Sequence, residues 1–131
     1  MCIRDSGKGF YDYPENGEKR LWPELTNLYP TKEDQPSQQD LVDRLLYVQA
    51  NETAKCYEEN VVRSVADANV GSIFGWGFAP NQGGTLQFIN SVGVKKFVER
   101  SRELAATYGE RFEPANILVE MAEKGQEFSD E

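Results

Sequence analysis

Gly71-Ser72-Ile73-Phe74-Gly75-Trp76-Gly77-Phe78-Ala79-Pro80-Asn81-Gln82-Gly83-Gly84 is where one helix ends and another begins. A helix-like apolar run enters it, Gly77 to Pro80 break the run, and the Gly83-Gly84 pair permits the backbone reversal before the next helix. Glycine-rich turns ahead of helix N-termini can present backbone N–H groups to an anion. The spacing is not that of a nucleotide loop, no lysine lies inside it, and no strand leads in. We therefore read the glycines as letting two helices meet at close quarters, with Trp76 and Phe78 packed beneath. Trp76, Phe78, Pro80, Gly83 and Gly84 are packing candidates.

Working outward, the pattern is helical from Ser37 onward. Ser37 or Asp40 can cap a long helix whose apolar stripe is Leu41, Leu45 and Val48, widened by Val42, Leu46 and Ala50. That helix is expected to run through Thr53, Ala54 and Tyr57 towards Val61. Ser64, three residues before Asp67, resembles a capping box for a helix ending near Phe74. Leu86, Phe88 and Ile89 mark a short helix broken at Gly93. Val94–Tyr108 is the next, with Phe97, Val98, Ser101, Leu104, Ala105 and Tyr108 facing inward. Gly109 is placed for a left-handed cap. Pro114 suits the first turn of a last helix, with Ile117, Leu118 and Met121 inward and Gly125 as its stop. No strand pattern follows Pro36, so residues 37–131 are expected to form an all-α bundle.

Residues 7–36 read differently. Phe10-Tyr11-Asp12-Tyr13 is strand-like, and Pro14-Glu15-Asn16-Gly17 is a turn signal. Pro23, Pro30 and Pro36 alternate with the apolar anchors Leu21, Trp22, Leu25, Leu28 and Tyr29, the pattern of an extended connector lying on a neighbouring surface. Met1-Cys2-Ile3-Arg4-Asp5 is what one frame of a common transposon sequencing adapter encodes. We read residues 1–6 as an artefact ahead of a truncated reading frame, and set them aside. The acidic Glu127–Glu131 reads as a frayed end.

The chain of 131 residues carries a net charge of −8 and no histidine. The acidic balance disfavours non-specific nucleic-acid binding and anionic membrane surfaces. No apolar run approaches the roughly 20 residues of a membrane span. With Cys2 set aside only Cys56 remains, so no disulfide framework is expected, which fits a reducing, cytoplasmic compartment. The commonest general acid/base near neutral pH is missing. GxGxxG, GxxxxGK[ST] and clustered Cys/His ligands are absent too, so no catalytic, cofactor-binding or metal-binding residue is nominated. Cys56 has no histidine to activate it and is read as half-buried packing. Glu58-Glu59 and the pair Glu99/Glu103 are read as solvent-facing.

Gly7-Lys8-Gly9-Phe10-Tyr11-Asp12-Tyr13 followed by the GWGFAP…GG loop resembles the C-terminal helical region of the 3-hydroxyacyl-CoA dehydrogenase family. The likeness is greatest to the tail of multifunctional fatty-acid β-oxidation enzymes and covers nearly all of the chain after Ser6. Trp76 between the loop glycines, and Ala79 where a second proline is often seen, depart from the pattern and leave the subgroup open. The resemblance implies that the parent oxidises the 3-hydroxyl of an acyl-CoA with NAD, fused to an enoyl-CoA hydratase region. The NAD fold and a His–Glu pair would lie upstream in domains of the same chain that this one packs against. It also implies two copies of the helical domain. Asn51-Glu52 keeps one pair of the first copy, whereas Asp43 stands where a substrate-contacting asparagine would align, and a carboxylate cannot donate that bond. Leu41 onward is thus expected to be the second, non-catalytic copy. Asp43 and Arg44 are read as a solvated face, and Asn51 and Glu52 as candidates for bonding backbone between helices. A different class of reading is a self-standing helical interaction module that uses Trp22, Trp76 and Phe78.

Overall fold

The computed structural model describes residues 9–130. The adapter reading of residues 1–6 falls outside them, as do Gly7, Lys8 and Glu131. The chain divides between Pro36 and Ser37 into two units. In the first, β1 (Tyr11–Asp12) and β2 (Arg20–Leu21) form an antiparallel hairpin that pairs Tyr11 with Leu21 and Asp12 with Arg20. The Pro14–Gly17 turn lies between these strands, and Lys19 Nζ sits 4.0 Å above the Tyr11 ring. A single helical turn, α1 (Leu25–Leu28), follows. Trp22 and Leu25 are half-buried, while Leu21, Leu28 and Tyr29 are exposed.

The second unit is all-α. It comprises α2 (Gln38–Glu58), α3 (Val65–Trp76), α4 (Thr85–Val92), α5 (Val94–Tyr108) and α6 (Asn116–Lys124), with short 3-10 turns at Pro80–Gln82 and Glu110–Phe112. α4 lies at the centre, packed on α2, α3 and α5, and α6 closes the bundle against α2 and α5. Aromatic rings fill the middle. Tyr47 stacks on Phe97 at 4.3 Å and meets Phe88 edge-on at 5.5 Å, and Phe78 lies 6.2 Å from Phe88. Each such buried side chain contributes roughly 1.5–3 kcal/mol of transfer free energy.

Local chemistry sets the helix ends. Ser37 caps α2, its Oγ accepting from Asp40 N–H, and Ser64 caps α3 through Asp67 N–H. α2 stops at Glu58 rather than running towards Val61, because Asn60 takes a left-handed φ of 59°. Val61 N–H then bonds Cys56 O and Asn60 N–H bonds Tyr57 O, the paired closure of a Schellman turn. α3 runs two residues past Phe74 to Trp76, where Gly77 supplies the left-handed stop. Gly125 does the same for α6.

Two other expected end signals are corrected. Gly109 has φ 106° and ψ 167°, outside the left-handed helical region, because the Glu110–Phe112 turn begins at once and the chain must leave extended. Pro114 lies ahead of the Ala115 cap instead of inside the first turn of α6. Alanine has no capping oxygen, so Glu58 Oε1, from the end of α2, accepts from Ile117 N–H at 3.1 Å. Glu58 is exposed as expected, yet it has this structural task.

The expected apolar stripe of α2 is also rotated. Leu41, Val42 and Leu45 are exposed, whereas Ala50 is buried as expected and Leu46 and Val48 are half-buried against the core; the buried face is Asp43, Tyr47, Ala50, Asn51, Thr53 and Ala54. Tyr47 wins that face through its ring contacts, and the polar Asp43 and Asn51 are carried inward with it because both have partners there. The acidic C-terminal segment is not frayed through Asp130. Phe128 is buried against Tyr57, and its backbone N–H and O pair with Asn90 Oδ1 and Nδ2 at 3.0 and 2.8 Å. Asp130 then accepts from Val65 and Ala66 N–H at 2.6 Å each, giving the start of α3 a carboxylate. Among the described residues no helix is long and apolar enough to cross a membrane.

Candidate functional site

Three places gather the residues that the sequence singled out. The first is the glycine loop. Gly84 has φ 107°, and a Cβ there would land on the Asn69 backbone, so α3 and α4 approach as closely as chains can. Gly83, at φ 76°, closes the 3-10 turn that Pro80 opens. The first three N–H groups of α4 are all taken from within. Thr85 N–H donates to Ser72 Oγ at 3.2 Å, and Leu86 and Gln87 N–H both donate to Asn69 Oδ1 at 3.0 Å. Ser72 in turn donates to Asn69 O at 2.8 Å. A phosphate at this helix end would have to displace these bonds.

Phe78 is buried beneath the loop, as expected, with its N–H on Ser72 O. Trp76 is not. It is 56% exposed, because Gly77 turns the chain right after it and leaves it on the outer side of α3. Its indole Nε1–H donates to Gln49 Oε1 on α2 at 2.9 Å. Asn69 and Ser72 were the residues that sequence reasoning missed here. Their signal was present: they share a helical face with Val65 and Ala68, where a polar residue needs a partner.

The second place is the polar network on α2 and α5. Arg100 donates from Nη2 to Asp40 Oδ1 (2.5 Å), from Nε to Asp43 Oδ2 (2.8 Å) and from Nη1 to Glu103 Oε2 (3.0 Å). Gln39 Nε2 donates to Asp43 Oδ1 at 2.7 Å, and Tyr108 OH to Asp40 Oδ2 at 3.0 Å. Asp43 is therefore buried and paired, not on a solvated face, with each of its oxygens accepting one bond. Arg44 is half-buried over the Tyr108 ring, 4.5 Å from its centroid. Glu103, exposed as expected, still holds one arm of Arg100.

The electrostatics follow from this geometry. Burial opposes the Arg100 charge, but hydrogen bonds to Asp40 and Asp43 outweigh it and raise its pKa. The Arg100 bond, then the Tyr108 hydroxyl, hold Asp40 below the usual carboxylate range. Burial, then the nearby Asp43 charge, pushes the Tyr47 phenol up to about 12. Burial and the bond to Asp40 raise Tyr108. These bonds clamp α2 to α5.

Asn51, 1% exposed, extends this clamp. Its Nδ2 donates to Phe112 O at 3.1 Å and Ser101 Oγ at 3.3 Å, while its Oδ1 is buried without a partner. Glu52, next to it, faces outward and lies 3.7 Å from Lys55 Nζ.

Glu52 belongs to the third place, a groove of about 490 Å³ between α2 and α3. Gln49, Thr53 and half-buried Cys56 line one side, and Gly71, Gly75 and Trp76 the other. Among the described residues no group of three or more His, Cys, Asp or Glu is placed to hold a metal ion.

No family model matches the chain. The chain is 37% identical over 129 residues to fatty acid oxidation complex subunit alpha of Shewanella loihica, a match covering 95% of this chain and 18% of that protein. Across nearly its whole length, the chain is therefore a relative of one segment of a fatty acid oxidation complex alpha subunit, folded as an all-α domain behind a short hairpin.

Proposed function

We propose that the chain is the C-terminal helical part of a fatty-acid β-oxidation enzyme, an NAD-dependent 3-hydroxyacyl-CoA dehydrogenase fused to an enoyl-CoA hydratase region. Its role in that parent is structural. It packs against the first copy of the helical domain and rigidifies the acyl-CoA cleft, while NAD, which takes the hydride, is held by an upstream domain. The parent works in the cytoplasm on an acyl-CoA.

The carrying observation is the similarity over 95% of the chain to 18% of a fatty acid oxidation complex alpha subunit. The pairing of Asp43 with Arg100 and Gln39 supports the non-catalytic assignment, since it holds the carboxylate in a structural ion pair and a carboxylate cannot donate as an asparagine would. The internally satisfied α4 N-terminus supports placing the cofactor elsewhere. Phe78, buried in the core, is lost to the alternative of an interaction module built on Trp22, Trp76 and Phe78.

Sequencing the source DNA across the Ser6 junction tests this reading. An open frame upstream with a GxGxxG unit and a later His–Glu pair is expected. A stop codon immediately before a genuine start at Met1 would overturn it.

A further inference from the structure

We propose that residues 126–130 are a latch on α3: the helix opens as a unit when this segment lifts, and stays closed while it is seated. The segment has no regular structure of its own, yet it meets three helices. Phe128 is buried edge-on against Tyr57 of α2, with ring centroids 5.6 Å apart. Its backbone N–H and O are both held by the Asn90 side chain on α4. Two residues on, Asp130 reaches the start of α3, each carboxylate oxygen accepting one N–H.

α3 needs that carboxylate because its own sequence leaves the first turn incomplete. The opening N–H groups of a helix have no acceptor within it. Ser64 Oγ takes Asp67 N–H, and Ser64 O takes Ala68 N–H. Val65 and Ala66 N–H go to Asp130, a charge-assisted pair at the positive end of the helix dipole. Elsewhere α3 is lightly held. Of its 12 residues, only Val65, Ala68 and Ser72 are buried. It packs on α4, where Asn69 and Ser72 make their bonds. The groove of about 490 Å³ separates it from α2, bridged at the far end by the Trp76–Gln49 bond.

Segments with few buried side chains open first, in cooperative units smaller than the whole fold. Lifting residues 126–130 takes away the acceptors of Val65 and Ala66, and α3 then keeps only its attachments at Asn69, Ser72 and Trp76. The change passes to α4 as well, because Asn69 Oδ1 also accepts from Leu86 and Gln87 N–H. Cys56, half-buried in the groove wall opposite α3, is a built-in reporter of the movement. The latch rests on bonds within the bundle and is independent of the β-oxidation reading.

The test uses the full chain with Cys2→Ser, leaving Cys56 as its one thiol. Hydrogen exchange is followed amide by amide against urea. With the latch intact, amides of residues 69–76 are expected to share one opening free energy with the Val65, Ala66 and Phe128 N–H groups. Their urea dependence should be shallower than that of the α5 amides. Asn90→Ala alters only the anchor of the segment on α4, and should speed exchange in residues 69–76 about fivefold or more. Asp130→Ala should do the same, and maleimide should alkylate Cys56 faster in both variants. Exchange of residues 69–76 at the free energy and urea slope of α5 would overturn the proposal, because α3 would then open only with the whole bundle. So would an unchanged rate there in Asn90→Ala, since α3 would open beneath a seated segment. Acceleration confined to Val65 and Ala66 in Asp130→Ala would equally refute it, reducing Asp130 to a cap.

Discussion

At the scale of single residues, the fold depends on a few polar side chains that satisfy helix ends other than their own. Asn69 Oδ1 accepts two N–H groups of α4 and lies against Gly84. Asn69→Ala should therefore lower unfolding free energy by about 1–2 kcal/mol, whereas Asn69→Asp, which keeps the acceptor at a helix N-terminus, should retain most of the stability. Equal losses in urea denaturation would show that the oxygen is not what matters. Asp40 carries a pH signature. Its folded pKa lies below the ordinary 3.8, so its stabilisation is fully present above that value and is lost as pH falls through the lowered one. Asp40→Asn should flatten this acid limb, measured as unfolding midpoint against pH below about 4. An unchanged acid profile would remove Asp40 from the account. These residues were hard to read in the sequence because each acts on a partner 17 to 68 positions away. Asn51 was the exception: its pairing with Phe112 O was within the expected role, although its neighbour Glu52 takes no part in it.

At the scale of elements, the two kinds of glycine in and around α3 and α4 make opposite predictions. Gly84→Ala places a Cβ on the Asn69 backbone at a positive φ and should destabilise by more than about 2 kcal/mol. Gly75→Ala meets open space at a helical position and should stabilise by about 0.5–1 kcal/mol. A melting series in which both fall equally would refute this distinction. The C-terminal segment is a second case. Phe128→Ala should lower stability by about 3 kcal/mol, since the ring is buried beside Tyr57; a loose end would show no change. Helix existence was legible wherever a period of 3.6 met a cap or a glycine, as in Val94–Tyr108. The face of α2 was not. Leucines at 41 and 45 form as good a stripe as the true one, and only the rings of Phe88 and Phe97 decide for Tyr47. Phe128 was missed because its acidic neighbours outweigh a single aromatic in any local reading.

At the scale of the whole molecule, the second unit is a bundle whose polar chemistry is consumed in holding helices together. Asp43 is tied to Arg100, the α4 N–H groups to Asn69 and Ser72, and Asp130 to the start of α3. The glycine motif was legible in the sequence because Gly84, pressed against the Asn69 backbone at a positive φ, is a position that only glycine fits. It could not reveal that Trp76 faces outward, since the turn at Gly77 decides it. The most direct measurement is NADH formation from a 3-hydroxyacyl-CoA and NAD, comparing the purified 131-residue chain with a full-length fatty acid oxidation complex alpha subunit. The account predicts turnover by the longer protein and none by this chain. NADH formed by this chain alone would contradict it.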